Sequence, residues 1–205
     1  MKLPAKFDIE EKLWSFGINY IAGADEVGRG AWAGPVVAAA VIFSKKVKFP
    51  EELFDSKKLS PNRREYLANL IYDSALSVGV GCVSASVISK FGIGTATHKA
   101  FRASVKNLSV SPEKILVDAF YIKRLSKTIQ MPIKKGDEIC ASISAASIIA
   151  KVYRDSIMRS LARKYPEYGF DRNKGYGTSF HQNAIRMNNF VKIHRTSFNI
   201  GYLIQ

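Results

Sequence analysis

The chain has 205 residues, of which 47% are hydrophobic and 23% are charged, which is typical of a globular protein and excludes a disordered one. Its length favours one domain over residues 1–205, with a lead-in over residues 1–19 and a basic loop and helical segment over residues 165–205. Two cysteines, Cys82 and Cys140, are too few for a disulfide framework, and no signal-peptide pattern is present. We therefore expect a reduced, cytoplasmic protein that does not enter a membrane.

The net charge is the most informative part of the composition. Thirty-one Lys and Arg against 17 Asp and Glu leave a formal charge of +14. Residues 151–205 carry ten basic and three acidic side chains, so half of the excess lies in the last quarter of the chain. Such an excess is typical of proteins that bind nucleic acid, with solubility as the alternative, and it does not separate an enzyme from a passive binder.

Apolar periodicity and turn signals predict alternating strands and helices. Four strands are predicted, over residues 20–24, 36–43, 77–87 and 114–119. Four helices are predicted, one opened by Ser60-Pro61 and the others over residues 95–108, 141–164 and 179–189, with a glycine-rich loop over residues 169–177. This order predicts an α/β fold with a mixed central sheet flanked by helices and a helical C-terminal extension.

Acidic residues stand at the predicted ends of two strands. Asp25 and Glu26 follow a short strand and precede a glycine-rich turn, and Asp118 ends another apolar strand. Neighbouring strand residues point to opposite faces, so Asp25 and Glu26 can share a site only where the strand ends and the backbone turns. Asp137 precedes the long helix, within reach of the same sheet edge.

Carboxylates without clustered His or Cys favour Mg²⁺ or Mn²⁺ over zinc. Four acids brought together would repel one another, and divalent ions relieve that repulsion. Beside a basic surface, this predicts two-metal cleavage of a phosphodiester. Each acid taken singly is more often a cap or turn residue, so the prediction depends on the four occurring together.

Other motifs point to weaker functional interpretations. Residues 28–33 fit a G-x-G-x-x-A pattern, but Pro35 and a β-branched run follow it instead of a helix, which argues against a dinucleotide site. His98, His181 and His194 lack metal-ligand spacing and a partnered nucleophile, and capping or core roles are expected for them.

Two further segments are suited to nucleic acid. Lys57 and Lys58 precede the N-terminus of a predicted helix, where a phosphate can bind, although a solvated face is an equal alternative. Tyr176 lies in a basic glycine-rich loop and can stack on a sugar or base, with ordinary loop packing as its alternative.

Together the motifs resemble the type 2 ribonucleases H, specifically the ribonuclease HII family. The resemblance runs in order from about residue 20 to the end, through residues 23–30, 33–37, 55–59, 117–118, 135–137, 144–155, 168–170, 174–178 and 194–198. It implies a ribonuclease H-like fold and hydrolysis of the RNA strand of RNA–DNA hybrids. It also implies cutting on the 5′ side of ribonucleotides embedded in duplex DNA, which leaves 3′-hydroxyl and 5′-phosphate ends, with a role in ribonucleotide excision repair.

The resemblance also implies roles for single residues. The four carboxylates that match the family's catalytic, metal-binding acids are Asp25, Glu26, Asp118 and Asp137. The residues that match its substrate-binding positions are Gly28, Arg29 and Gly30 for the ribose 2′-hydroxyl, Tyr176 for stacking on the following deoxyribose, and Lys57 for a substrate phosphate. The implied cofactors are Mg²⁺ or Mn²⁺, two ions per site.

The sequence departs from the family at Ala31-Trp32, where Pro-Leu is expected, and the sister family ribonuclease HIII is disfavoured because few residues precede the first strand. The partners we expect are RNA–DNA hybrid and ribonucleotide-containing duplex DNA, with no membrane, no obligate protein partner and a monomeric state. Two alternatives stay open: a catalytically silent hybrid or duplex binder on the same scaffold, and another nuclease with a carboxylate site.

Overall fold

The computed structural model describes residues 4–49, 53, 56 and 59–204. Within them the chain forms strands β1 (Ile21–Val27), β2 (Val36–Ile42), β3 (Ser77–Val83), β4 (Lys114–Asp118) and β5 (Gln130–Ile133). The helices are α1 (Asp8–Ser15), α2 (Pro61–Ser74), α3 (Ala85–Phe91), α4 (Ile93–Lys106), α5 (Gly136–Ile139), α6 (Ala141–Lys164), α7 (Phe170–Asn173) and α8 (Ser179–Asn188). None of the helices in these ranges is long and apolar enough to cross a membrane.

The five strands form one mixed sheet in the order β3-β2-β1-β4-β5. The first three strands are antiparallel neighbours, whereas β4 runs parallel to both β1 and β5. In the β1–β4 register, Ala24 lies opposite Val117, so the carboxyl ends of these two strands meet at one edge of the sheet. The predicted α/β class and mixed sheet are confirmed.

Helices cover both faces of the sheet. On one face α6 and α2 pack on alternate residues of β2, among them Val37 and Val41, and on the other face α4 packs on Ala38 and Ala40. A β2 strand that is apolar on both faces is what a central strand between two helical layers requires. The core therefore continues through the sheet and not only along one side.

Small residues set how closely α6 approaches the sheet. Gly23 lies in β1, and a methyl group at its Cα would overlap the backbone of Ser142 and Ile143 at the start of α6. Glycine therefore allows the helix to lie directly on the strand that carries Asp25. The same close packing occurs on the other face, where Gly81 faces the backbone of α4.

The C-terminal third packs against the end of α6 and is not a free extension. Tyr168, Phe170 and Ile185 form a buried cluster with Met158 of α6 and Ala33 of the loop after β1. The predicted helical C-terminal segment is confirmed, and its packing reaches back to the loop that carries the predicted substrate-binding glycines.

Some predicted boundaries are wrong. The strand predicted over residues 77–87 ends at Val83, because Ser84 adopts the extended conformation of an N-cap and α3 begins at Ala85. Neither α1 nor β5 was predicted. β5 has four residues including Pro132, a pattern that reads as a loop until a parallel neighbour pairs with it.

Substituting Gly23 tests the close contact between β1 and α6. Gly23→Ala is expected to lower the free energy of unfolding by about 3 kcal/mol or more, because the methyl group meets backbone that cannot move aside. Chemical denaturation measures this. Gly94→Ala is the control, since a methyl group there meets nothing within 4 Å and lies in a helix. Equal effects of the two substitutions would contradict the proposed packing.

Candidate active site

Two of the predicted acids lie side by side at the carboxyl edge of the sheet. Asp25 follows Ala24 in β1, and Asp118 follows Val117 in β4, and these two preceding residues are paired in the register. Paired residues of neighbouring strands point to the same face, so both carboxylates lie on the face covered by α6. Asp25 is buried, with 5% of its surface exposed.

Asp25 is held by hydrogen bonds from the backbone and from α6. The Glu26 N–H donates to Asp25 Oδ1 at 2.7 Å, and Ser147 of α6 also bonds to the Asp25 carboxylate. Burial raises the pKa of Asp25 well above its usual range, and the charges of Glu26 and Asp118 raise it further despite these two bonds. The carboxylates therefore already interact electrostatically.

Glu26 points to the opposite face, towards α4, but lies where β1 is about to turn. Its Oε1 accepts from Arg29 Nη1 at 3.1 Å, and its Oε2 is buried without a hydrogen-bond partner among the described residues. Burial raises the pKa of Glu26, Asp118 adds to the rise, and Arg29 opposes it. The predicted strand end after residue 24 is therefore wrong, because β1 continues to Val27 and places Asp25 and Glu26 on opposite faces within the strand. The charge of Glu26 nevertheless raises the pKa of Asp25.

Asp137 is brought to the same edge by α5. The Gly136 N–H donates to Asp118 Oδ1 at 2.8 Å, which joins the start of α5 to the end of β4. Asp137 is the next residue and is buried. The short helix begins after Lys135, which adopts a left-handed conformation that turns the chain back towards β4. All four predicted acids therefore come from elements that meet at one edge.

These residues fit a divalent cation. A cation bound among the carboxylates would give the buried Glu26 Oε2 a partner. It would also lower the raised pKa values of Asp25 and Glu26. In the described parts of the chain, however, no three His, Cys, Asp or Glu side chains converge closely enough to hold a metal ion as they stand. Arg29 currently supplies the positive charge beside Glu26.

The loop after β1 begins with a glycine that nothing else can replace without strain. Gly28 has φ +89°, and a methyl group there would overlap the Arg154 guanidinium. Gly30 differs, because it has open space around its Cα and no positive φ, and it is exposed. Gly28 is therefore needed by the fold itself, whereas the structure gives no internal reason for glycine at position 30.

Two buried arginines hold this loop by its carbonyl oxygens. Arg154 of α6 donates from Nε to the Pro35 carbonyl at 2.9 Å and from Nη2 to Ala33 at 3.1 Å. Arg195 donates to the carbonyls of Gly34 at 3.0 Å, Arg29 at 2.9 Å and Pro35 at 3.0 Å. Burial, together with the charge of Arg154, lowers the pKa of Arg195 to about 9. The carbonyl oxygens of the loop thus stabilise the charges of two buried guanidinium groups.

Tyr176 lies beside Arg154. The Arg154 guanidinium is 5.5 Å from the centroid of the Tyr176 ring. The ring is partly exposed, and the backbone of its loop is tied to the loop after β1, because the N–H groups of Trp32 and Ala33 donate to the Gly175 carbonyl at 2.8 and 3.2 Å. The structure therefore brings Tyr176 beside residues 28–35.

A buried histidine pair fixes the Tyr176 backbone. The Nε2 atoms of His181 and His194 are 3.1 Å apart, His181 Nδ1 contacts the Tyr176 carbonyl at 3.0 Å, and the Val191 N–H donates to His194 Nδ1 at 2.9 Å. We assign neutral tautomers in which His194 Nε2–H donates to His181 and His181 Nδ1–H donates to Tyr176. The expected core role of these histidines is confirmed.

Ser147, Arg154 and Arg195 lie within the segments that resemble the family, but the sequence assigned none of them a supporting role. A buried arginine has no sequence signal of its own. Lys57 and Asp55 lie outside the described residues. Their neighbour Ser56 is described and buried, and its hydroxyl is 2.9 Å from that of Ser147, which contacts Asp25.

The family model for ribonuclease HII matches residues 22–200. The chain belongs to the ribonuclease HII family. It is 48% identical to ribonuclease HII of a Geobacillus species over 190 residues, which cover 93% of this chain and 68% of the relative. It is 47% identical to ribonuclease HII of Syntrophus aciditrophicus over 93% of this chain and 89% of the relative. The chain is thus a ribonuclease H that cleaves the RNA strand of RNA–DNA hybrids.

Solved structures show the same fold. Ribonuclease H2 of Pyrococcus horikoshii superposes with a TM-score of 0.75 at 25% identity, covering 89% of this chain and 95% of that one. Ribonuclease HII of Archaeoglobus fulgidus, solved as a complex with PCNA, gives 0.69 at 27% identity over 90% and 97% of the two chains. The monomeric state predicted from the sequence stays a prediction.

The histidine pair makes stability depend on pH. Burial, and after it the neighbouring His181, lowers the pKa of His194 from its usual 6.5 to about 4, so between these pH values His194 is neutral in the folded protein and protonated in the unfolded chain. Above pH 6.5 this histidine does not change the free energy of unfolding with pH. As the pH falls from 6.5 towards 4, protonation of the unfolded chain lowers the free energy of unfolding by up to about 1.4 kcal/mol per pH unit.

His194→Gln should flatten this dependence, because the glutamine amide still contacts His181 but does not titrate. Thermal unfolding measured between pH 7.5 and 5 checks the prediction. The wild-type protein is expected to lose more stability than the variant over this interval. Parallel pH profiles for the two proteins would show that His194 is not held neutral.

Proposed function

We propose that Asp25, Glu26, Asp118 and Asp137 hold divalent cations and that the enzyme cuts on the 5′ side of a ribonucleotide, in hybrids and at single sites in duplex DNA. The observation that carries this proposal is the set of mutually interacting carboxylates at the edge where β1 and β4 end. Mg²⁺ and Mn²⁺ both suit an all-oxygen site of this kind.

Each acid has a distinct task in this proposal. When bound, the cations activate a water molecule and stabilise the leaving 3′-oxygen in an in-line displacement. Asp25 and Asp118 present oxygens from the two central strands, and the Gly136 N–H fixes the Asp118 carboxylate through Oδ1. Glu26 contributes Oε2, which has no protein partner, and Asp137 completes the set from α5.

Recognition of the ribose is assigned to the loop after β1. Its backbone is held in place by Arg154 and Arg195, so Gly28, Arg29 and Gly30 can offer backbone groups to a 2′-hydroxyl without rearrangement. Tyr176 stacks on the sugar of the following deoxynucleotide. Its position next to this loop supports that role, because adjacent nucleotides would contact the two elements in turn.

Asp118→Asn separates an enzyme from a silent binder. Asparagine keeps an Oδ1 for the Gly136 N–H but removes the charge, so we expect at least a 100-fold loss of cleavage while hybrid binding persists. The assay uses end-labelled duplexes with one ribonucleotide, with none, or with a full RNA strand, each in Mg²⁺, Mn²⁺ or chelator. A metal-dependent 5′ cut by the wild-type protein supports the proposal.

Three outcomes of this assay would overturn it. Cleavage of the all-DNA duplex would indicate another carboxylate nuclease, and wild-type cleavage retained by Asp118→Asn would remove Asp118 from the site. Binding without cleavage in either metal would favour the silent binder.

Gly30→Ala tests recognition of the 2′-hydroxyl by the loop backbone. Because a methyl group at Gly30 meets no protein atom within 4 Å, the variant should unfold like the wild-type protein. Its cleavage at a single ribonucleotide is expected to fall at least tenfold, since the methyl group stands where the ribose approaches. Gly201→Ala, also in open space, is the control. Equal cleavage by Gly30→Ala and the wild-type protein would contradict the assignment.

A further inference from the structure

A cationic groove opens beside the active site on the α4 face of the sheet. It consists of two adjoining cavities of about 350 and 230 Å³ that share Gly94, His98 and Lys123. We call it the basic groove, and its cationic or titratable side chains are Arg29, His98, Arg102, Lys123 and Arg124. None of the described residues that line it is acidic.

The groove is continuous with the active site. Phe120 and Tyr121 line it and lie two and three residues after Asp118 in the chain. Arg29 lines it from the other side, with its guanidinium 5.4 Å from the centroid of the Phe120 ring and a salt bridge to Glu26 at 3.1 Å. A polyanion that enters the active site therefore meets the groove beside Arg29.

The loop that carries the outer cations is held in a defined conformation. The Lys123 N–H donates to His98 Nδ1 at 3.3 Å, and Arg102 Nη1 donates to the Lys123 carbonyl at 3.0 Å. Buried Gln130 accepts from the Ile122 N–H at 2.6 Å and donates to the carbonyls of Ile122, Leu125 and Ser126 at 3.0–3.2 Å. Lys123 and Arg124 thus project from a backbone that is already ordered.

The cations in the groove repel one another. Burial lowers the pKa of His98, and the nearby Lys123, Arg102 and Arg29 lower it further, in that order. Holding several positive charges around one cavity is unfavourable because they repel one another, and an anion bound in the cavity would relieve that repulsion. Within the described residues, Arg29 is the one groove cation that forms a salt bridge, and its partner Glu26 belongs to the active site.

We infer that the basic groove binds backbone phosphates of the duplex substrate, away from the scissile bond, and so extends the substrate footprint along the α4 face. This inference rests on the proposed function, because the polyanion is the duplex already held at the carboxylates. Lys and Arg side chains contact phosphates without reading sequence, so the groove adds affinity and register but no base preference.

The test is the salt dependence of binding to a duplex with one ribonucleotide, measured by anisotropy in Ca²⁺ or chelator for the full chain. The double variant Lys123→Gln/Arg124→Gln should bind about tenfold more weakly near 0.1 M salt and lower the log–log salt slope by about 2. Most of the loss should fall on affinity and less on the single-turnover cleavage rate at saturation.

A matched double variant, Lys46→Gln/Lys106→Gln, removes the same charge elsewhere. Lys46 follows β2 at the end that pairs with the start of β1, and Lys106 ends α4, about 20 Å along the helix from Gly94. This control should keep the wild-type slope. An unchanged slope in the groove variant, or an equal change in both, would overturn the inference, including the case in which the groove binds an acidic protein instead.

Duplexes shortened on one side of the ribonucleotide provide a second readout. Trimming the side that reaches the groove should abolish the difference between the groove variant and the wild-type protein, and trimming the other side should preserve it. A difference that survives both trimmings would contradict direct phosphate contact. Wild-type cleavage in the same reactions tests the proposed function separately. If the groove inference is wrong, the proposed function is therefore not contradicted.

Discussion

Burying carboxylates beside one another is the constraint on which the rest of the site depends. Asp25, Glu26 and Asp118 interact at the edge where β1 and β4 end, and burial with mutual repulsion raises the pKa of Asp25 and Glu26. The parallel pairing of the two strands brings Asp25 and Asp118 close together, and Gly23 lets α6 lie directly on β1 beside them. The buried carboxylates do not stabilise the fold by themselves, and a bound cation would offset the free-energy cost of burying them.

The cations of the protein complement this acidic centre in two different ways. Arg154 and Arg195 are buried and donate hydrogen bonds to the carbonyls of the loop after β1. They hold the proposed substrate-binding backbone in place and do not expose their charge at the surface. Lys123 and Arg124 are exposed on an ordered loop and present charge outward. The overall +14 charge therefore includes structural and substrate-facing cations that composition cannot distinguish.

Sequence reasoning predicted the features that depend on local pattern. The apolar runs before Asp25 and Asp118 predicted two strands followed by acids. β4 does end at Asp118, whereas β1 continues to Val27, and the parallel pairing of β1 with β4 brings Asp25 and Asp118 together. It failed where tertiary contacts decide. β5 becomes a strand only through its pairing with β4, and Arg154 has the sequence environment of a surface helix residue although it is fully buried. The histidine pair joins residues thirteen positions apart through side chains, which no spacing rule indicated.

The link between buried acids and a divalent cation can be measured directly by calorimetric titration of the protein with Mn²⁺ at pH 6 in two buffers of different ionisation enthalpy. Because the raised pKa values of Asp25 and Glu26 favour bound protons, we predict saturable binding accompanied by proton release. Saturable binding with the same heat in both buffers, or no saturable binding, would contradict the account.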